Sequence, residues 1–107
     1  MRPRKCRLVR SSPSVRFFKP RGTPLCDLVV VKLKDEEYEA IILSDYRCME
    51  QEEASLLMGI SRPTFSRILS SARRAISKAL AEGCALEIDG GDFKRVEAAN
   101  IKKGRKK

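Results

Sequence analysis

Between residues 61 and 83 the chain carries a pattern that leaves its local conformation little choice. Phe65, Ile68, Leu69, Ala72, Ile76, Ala79 and Leu80 recur at spacings of three and four, the period that lines one face of an α-helix. Ser61 supplies an N-cap. Pro63 stands in the first turn, where a missing N–H costs nothing. Gly83 can end the helix with a positive φ. At about 1.5 Å per residue this is a rod of roughly 33 Å. The rest of a 107-residue chain must pack against it, so the spacing predicts one small, mainly α domain.

The residues before the rod predict two shorter helices. Asp35 reads as an N-cap, and Glu36 and Glu37 suit the positive end of a helix. Tyr38, Ile41, Ile42 and Tyr46 follow at helical spacing, giving helix one over about 35–45. Helix two runs from about Glu50 to Met58 with Ala54, Leu57 and Met58 inward, and Gly59 ends it. The run Val29, Val30, Val31 favours a short strand within 28–33. Residues 85–88, the turn residues 89–92 and residues 93–96 read as a hairpin. Residues 1–24 hold four of the five prolines and no helical period, so they read as an extended arm. Phe17 and Phe18 are its only strong apolar anchor, and residues 20–24 form a turn. The expected organisation is a basic arm with a short strand (1–34), a three-helix domain (35–83), a hairpin (84–97) and a disordered basic tail (98–107).

The net charge is +9, and its placement is more informative than its sum. Residues 1–34 carry a net +9, residues 35–60 a net −7, residues 61–82 a net +4 and residues 83–107 a net +3. Such a polarised basic chain attracts phosphate backbones without reading sequence. The basic residues of the arm are not laid out on an amphipathic helix, which disfavours a membrane-surface role. Nor does any run of about 18 apolar residues exist to span a membrane. No apolar signal core follows the basic N-terminus, so the expected location is cytoplasmic. Cys6, Cys26, Cys48 and Cys84 are widely spaced and are expected to be free thiols, with no metal or other cofactor.

Residues 51–70 meet the demands of two helices that cross closely through a very short connection. Ala54 and Ser55 are small at the closest approach, Gly59 can take positive φ, Ile60 can plug the gap, and Phe65 and Ile68 can anchor the second helix. The outward face of the long rod carries Arg62, Ser66, Arg67, Ser70, Arg73 and Arg74, and no acid stands between Ser61 and Ala81. Ordinary solvated helix faces mix both signs. A face of arginine and small hydroxyls suits a polyanion, because Arg can grip guanine with two hydrogen bonds and Ser or Thr can bond bases or phosphates. The first turns of a recognition helix lie deepest in the major groove. Arg62, Ser66 and Arg67 are therefore the candidates for base edges. Ser61, Thr64, Ser70, Arg73 and Arg74 are the candidates for the DNA backbone, Thr64 having a second role open to it in supporting the cap. In the arm, Arg2, Arg4, Lys5, Arg7 and Arg10 are candidates for phosphates or a minor groove, or for a merely solvated tail. The acidic helices one and two are expected to face away from DNA, as a solvated surface or as a site for a basic protein partner.

Several stretches together resemble one prokaryotic family. They are residues 2–7, 18–22 and 35–41, then Gln51-Glu52-Glu53-Ala54, the run Ser61-Arg62-Pro63-Thr64-Phe65-Ser66-Arg67-Ile68, Ser71-Ala72-Arg73-Arg74, and Ala85-Leu86-Glu87-Ile88-Asp89-Gly90-Gly91. The resemblance is to domain-of-unknown-function family 134, also called uncharacterised protein family 0251, over about residues 2–96. It implies a helix-turn-helix similar to region 4 of bacterial sigma-70 factors and a DNA-binding role, without a target. Some relatives are fused to a domain like those of nitrogenase-cofactor proteins. Two departures stand out: Arg10-Ser11-Ser12-Pro13 replaces the frequent Gly-Cys-Leu-Pro, and Ser55 replaces a frequent Ala.

The expected function is that of a transcriptional regulator binding double-stranded DNA, with a homodimer through the arm, the strand near Val29 or the hairpin left open. The alternative is a protein-interaction module that meets RNA polymerase or a regulator through Glu36, Glu37 or Glu52. An enzyme is not expected: the chain has no His, no Gly-rich phosphate loop after a strand and no nucleophile–base pair, and no small-molecule substrate is evident. Low aromatic content, 6% with no Trp, argues against stacking on single strands.

Overall fold

The structure, a computed structural model, describes residues 7–91 and 93–95. In chain order it comprises β1 (Arg7–Val9), β2 (Phe17–Phe18), a 3-10 turn (Leu25–Asp27), β3 (Val30–Leu33), α1 (Asp35–Ile41) continued by a π turn (Ile42–Tyr46), α2 (Gln51–Met58), α3 (Arg62–Glu82), β4 (Ala85–Ile88) and β5 (Phe93–Arg95). No helix among the described residues is long and apolar enough to cross a membrane.

The rod α3 organises the rest. Its first half packs Phe65, Ile68 and Leu69 against Ala40 and Leu43 of the first helical segment and Ala54 and Met58 of α2. Its middle packs Ala72 against Leu33 of β3 and Ile88 of β4, with Ile76 and Leu86 partly buried beside them. Both glycine caps adopt the expected left-handed conformation, Gly59 at φ 66° and Gly83 at φ 69°. The connection from α2 to α3 is three residues long, Gly59, Ile60 and Ser61. The Gly59 amide donates to the Leu56 carbonyl and the Ile60 amide to that of Ser55, which closes the end of α2. Ala54 and Ser55 are buried at this crossing, and Ile60 packs on the helical core.

The β elements depart from expectation. The segments 85–88 and 93–95 do not pair as a hairpin; residues 92, 96 and 97 lie outside the described residues. Instead β4 is the centre of a three-stranded sheet, antiparallel to β2 and parallel to β3, with Val31 opposite Leu86. Strand β5 runs parallel to β1, with Arg7 opposite Phe93. A parallel β3–β4 pair requires a long crossover, and all three helices form it. The part of the arm from residue 7 on is thus built into two sheets. The tail 98–107 lies outside the described residues.

Three smaller differences have local causes. Lys34 is the N-cap of α1, and Asp35 is the first helical residue. Glu37 performs the reciprocal half of a capping box, its Oε1 accepting from the Lys34 amide at 2.8 Å. The π turn rotates Tyr46 out of the helical register, leaving it 75% exposed rather than inward. Leu80 is 80% exposed because the last turns of α3 pass the edge of the sheet, where a groove of about 490 Å³ opens between Leu80, Ile76, Phe18 and Leu86. Phe17 and Phe18 join the sheet through their backbones but remain half-exposed.

Candidate nucleic-acid interface

At the start of α3 the Ser61 hydroxyl accepts from the Thr64 amide at 3.3 Å and donates to the Thr64 Oγ1 at 2.9 Å. Thr64 therefore supports the cap. Beyond the cap the helix turns about 100° per residue, so Arg62, Ser66, Ser70 and Arg74 form one shallow row, with Pro63 and Arg67 alongside. The arginines of this row, Arg67 and Ser70 are exposed, and Ser66 is half-buried. Arg67, Ser70 and Arg74 lie on the side of α3 away from Phe65, Leu69 and Ala72, and Arg62 and Ser66 lie at its edge, nearer Leu69. From Arg62 to Arg74 the row spans about 18 Å, three turns of helix. The base candidates Arg62, Ser66 and Arg67 are thus brought together on the first turn and a half.

The two flanks of this row differ. On one side Arg67, Thr64 and Ser71 line a cleft of about 340 Å³ with Lys34, Glu36 and Glu37. Within its lining the Ser71 hydroxyl donates to Glu37 Oε2. On the other side Arg73 is held by the carboxylate of Asp45, through Nη2–Oδ1 at 2.6 Å and Nε–Oδ2 at 3.1 Å. The Arg73 guanidinium holds the Asp45 carboxyl below its usual range, and the carboxylate pushes the Arg73 value further up.

The arm behaves differently from its sequence expectation. Arg2, Arg4, Lys5 and Cys6 lie outside the described residues. Arg7 is buried, its Nε 4.0 Å from Glu36 Oε2. Arg10 is half-buried and donates to the Leu57 carbonyl. Neither is a solvated side chain free to follow phosphates. The cause is the acidic block: Asp35, Glu36, Glu37 and Glu39 of α1 are all buried, not a solvated surface. Buried carboxylates require donors, and the arm brings them. The Ser11 amide donates to Glu39 Oε1 at 2.9 Å. Arg16, which sequence reasoning missed, donates to both oxygens of Asp35 at 3.1 and 2.9 Å and to the Ile88 carbonyl at 2.9 Å. Arg95, also missed, reaches Asp35 Oδ2 at 2.9 Å. The hydrogen bond to Asp35 pushes the Arg16 value up. One signal was available: a +9 arm followed directly by a −7 block is complementary within the chain itself. Glu36 and Glu37 are likewise closed to a protein partner, whereas Glu50, Glu52 and Glu53 are exposed at the start of α2. Among the described residues Cys26 and Cys48 are exposed free thiols and Cys84 is a half-buried one.

Residues 1–96 match the family model described as Protein of unknown function DUF134. A UPF0251 protein of Pelotomaculum thermopropionicum is 52% identical over 96 residues, covering 90% of this chain and 73% of its own. One of Thermoanaerobacter sp. strain X514 is 49% identical over 96 residues, covering 90% and 85%. One of Methanosarcina acetivorans is 46% identical over 100 residues, covering 94% and 89%. No solved structure matches. The chain belongs to the DUF134 family, the UPF0251 proteins.

Proposed function

We propose that this member of the DUF134 family binds double-stranded DNA as a cytoplasmic transcriptional regulator. In this reading α2 and α3 act as a helix-turn-helix of the sigma-70 region-4 kind, and α3 enters the major groove. The observation that carries it is the acid-free row of exposed Arg62, Arg67, Ser70 and Arg74, with half-buried Ser66 among them, on a capped helix whose other face is core. A helix about 10–12 Å across fits a groove about 12 Å wide. Arg62 and Arg67 then reach base edges with Ser66 between them, each well-placed bidentate arginine discriminating by about 1–3 kcal/mol. Ser61, Ser70 and Arg74 contact phosphates.

The protein-interaction alternative is the weaker reading, because two of the three carboxylates it relied on, Glu36 and Glu37, are buried. Selection of bound sites from random duplex DNA at physiological salt tests the proposal. The expected result is a recovered motif whose binding is lost in the Arg62→Ala/Arg67→Ala double variant. Recovery of no motif, or a motif indifferent to both substitutions, overturns it.

A further inference from the structure

The π turn at the end of α1 places a carboxylate against the recognition face. Asp45 lies on this turn and meets the fourth turn of α3, where it occupies two of the guanidinium N–H groups of Arg73. Both side chains remain open to water, Arg73 at 53% and Asp45 at 40% exposure. Exposed ion pairs of this kind are weak and exchange readily. Beside the pair stand Tyr46, 75% exposed, and Arg47, exposed. The π turn closes the first helical segment, with Arg47 as its C-cap. It leaves Tyr46 exposed and sets Asp45 against the helix proposed to read DNA.

Resting on the DNA-binding reading above, we propose that Asp45 is an internal competitor for the DNA backbone. Arg73 exchanges the Asp45 carboxylate for a backbone phosphodiester when duplex binds. A guanidinium fork fits either oxyanion in the same two-bonded geometry. The exchange leaves Asp45 without its cation beside the phosphate, so the contact made by Arg73 is weakened. Asp45 thereby lowers affinity for duplex DNA of any sequence. The pKa directions agree with a pair in contact before binding, the carboxyl held down and the guanidinium up.

Fluorescence anisotropy of the full chain with a labelled 30-base-pair duplex of random sequence, titrated at several KCl concentrations, tests this. Asp45→Asn is expected to tighten binding about three- to tenfold, because it removes one opposing charge and frees one cation. Adding Arg73→Ala to Asp45→Asn is expected to reverse that gain and to lower the slope of log K against log salt by about one. Thermal melting confirms that both variants fold, Asp45→Asn being nearly isosteric at an exposed site. If Asp45→Asn fails to tighten binding, or Arg73→Ala has no effect in its background, the competitor role is overturned. Where the wild type binds and loses binding with Arg62→Ala/Arg67→Ala, such a failure leaves the DNA-binding reading standing. Absence of wild-type binding at any salt overturns both.

Discussion

Asp35 is 2% exposed, and two guanidinium groups from opposite ends of the chain converge on it, those of Arg16 and Arg95. A buried carboxylate is costly alone and tolerable when its lone pairs are filled. Truncating it leaves two cations without their shared carboxylate, although both can turn toward water. Asp35→Ala is therefore expected to lower unfolding stability by about 2–4 kcal/mol in urea denaturation. A loss below about 0.5 kcal/mol would show that the three side chains contribute nothing together. Tyr38 gives a second test at this scale. Burial raises its phenol pKa above the ordinary 10.0, and the neighbouring Glu39 carboxylate adds to the effect. The unfolded chain then loses that proton first, so the stability held below the ordinary value declines as pH rises through the folded one. Melting at pH 9 and pH 11 should show a larger drop for wild type than for Tyr38→Phe; equal drops would contradict the assignment.

At the level of elements the α2–α3 connection is the most exacting. Gly59 has φ 66°, and a Cβ there would sit 3.3 Å from the Leu8 side chain of β1. Gly59→Ala is expected to cost about 1–2 kcal/mol from backbone strain alone, read as a lower melting temperature. Helix ends of this type were legible in the sequence because their signals are local. Ser61, Gly59 and Gly83 mark caps, and the apolar spacing of α3 fixes its buried face through Ile76. The strands were legible only as apolar runs. Their partners are decided by residues far away in the chain, and strands of two to four residues carry too little alternation to state a register. The hairpin expectation failed for that reason: Asp89, Gly90 and Gly91 have turn chemistry, yet the Gly90 carbonyl accepts from the Asp35 amide and the chain continues to β1. Hydropathy also hid the inward face of α1, because four of its five buried positions are acids. The outward row of α3 needed no partner to be seen, and so the candidate interface was more legible than the arm.

For the molecule as a whole, the basic charge divides into two populations. Arg7, Arg10 and Arg16 bond within the fold, while Arg62, Arg67 and Arg74 lie on its surface. Salt should separate them, since ion pairs made to the buried carboxylates Asp35 and Glu36 are screened less than exposed charge. Raising KCl from 0.1 to 0.5 M is expected to abolish binding to random duplex while changing the melting temperature little; a parallel collapse of both would contradict this division. Deleting residues 1–18 is expected to remove the cooperative thermal transition, whereas a solvated arm would leave it intact. The pairing of β1 with β5 and of β2 with β4 has a consequence for how the protein is made. A ribosome releases Arg7 long before Phe93, so the earliest strands must wait for nearly the whole chain before they find their neighbours. The arginines of that segment meet their partners sooner, since Asp35 and Glu36 are synthesised well before β4 and β5, so charge pairing can precede strand pairing.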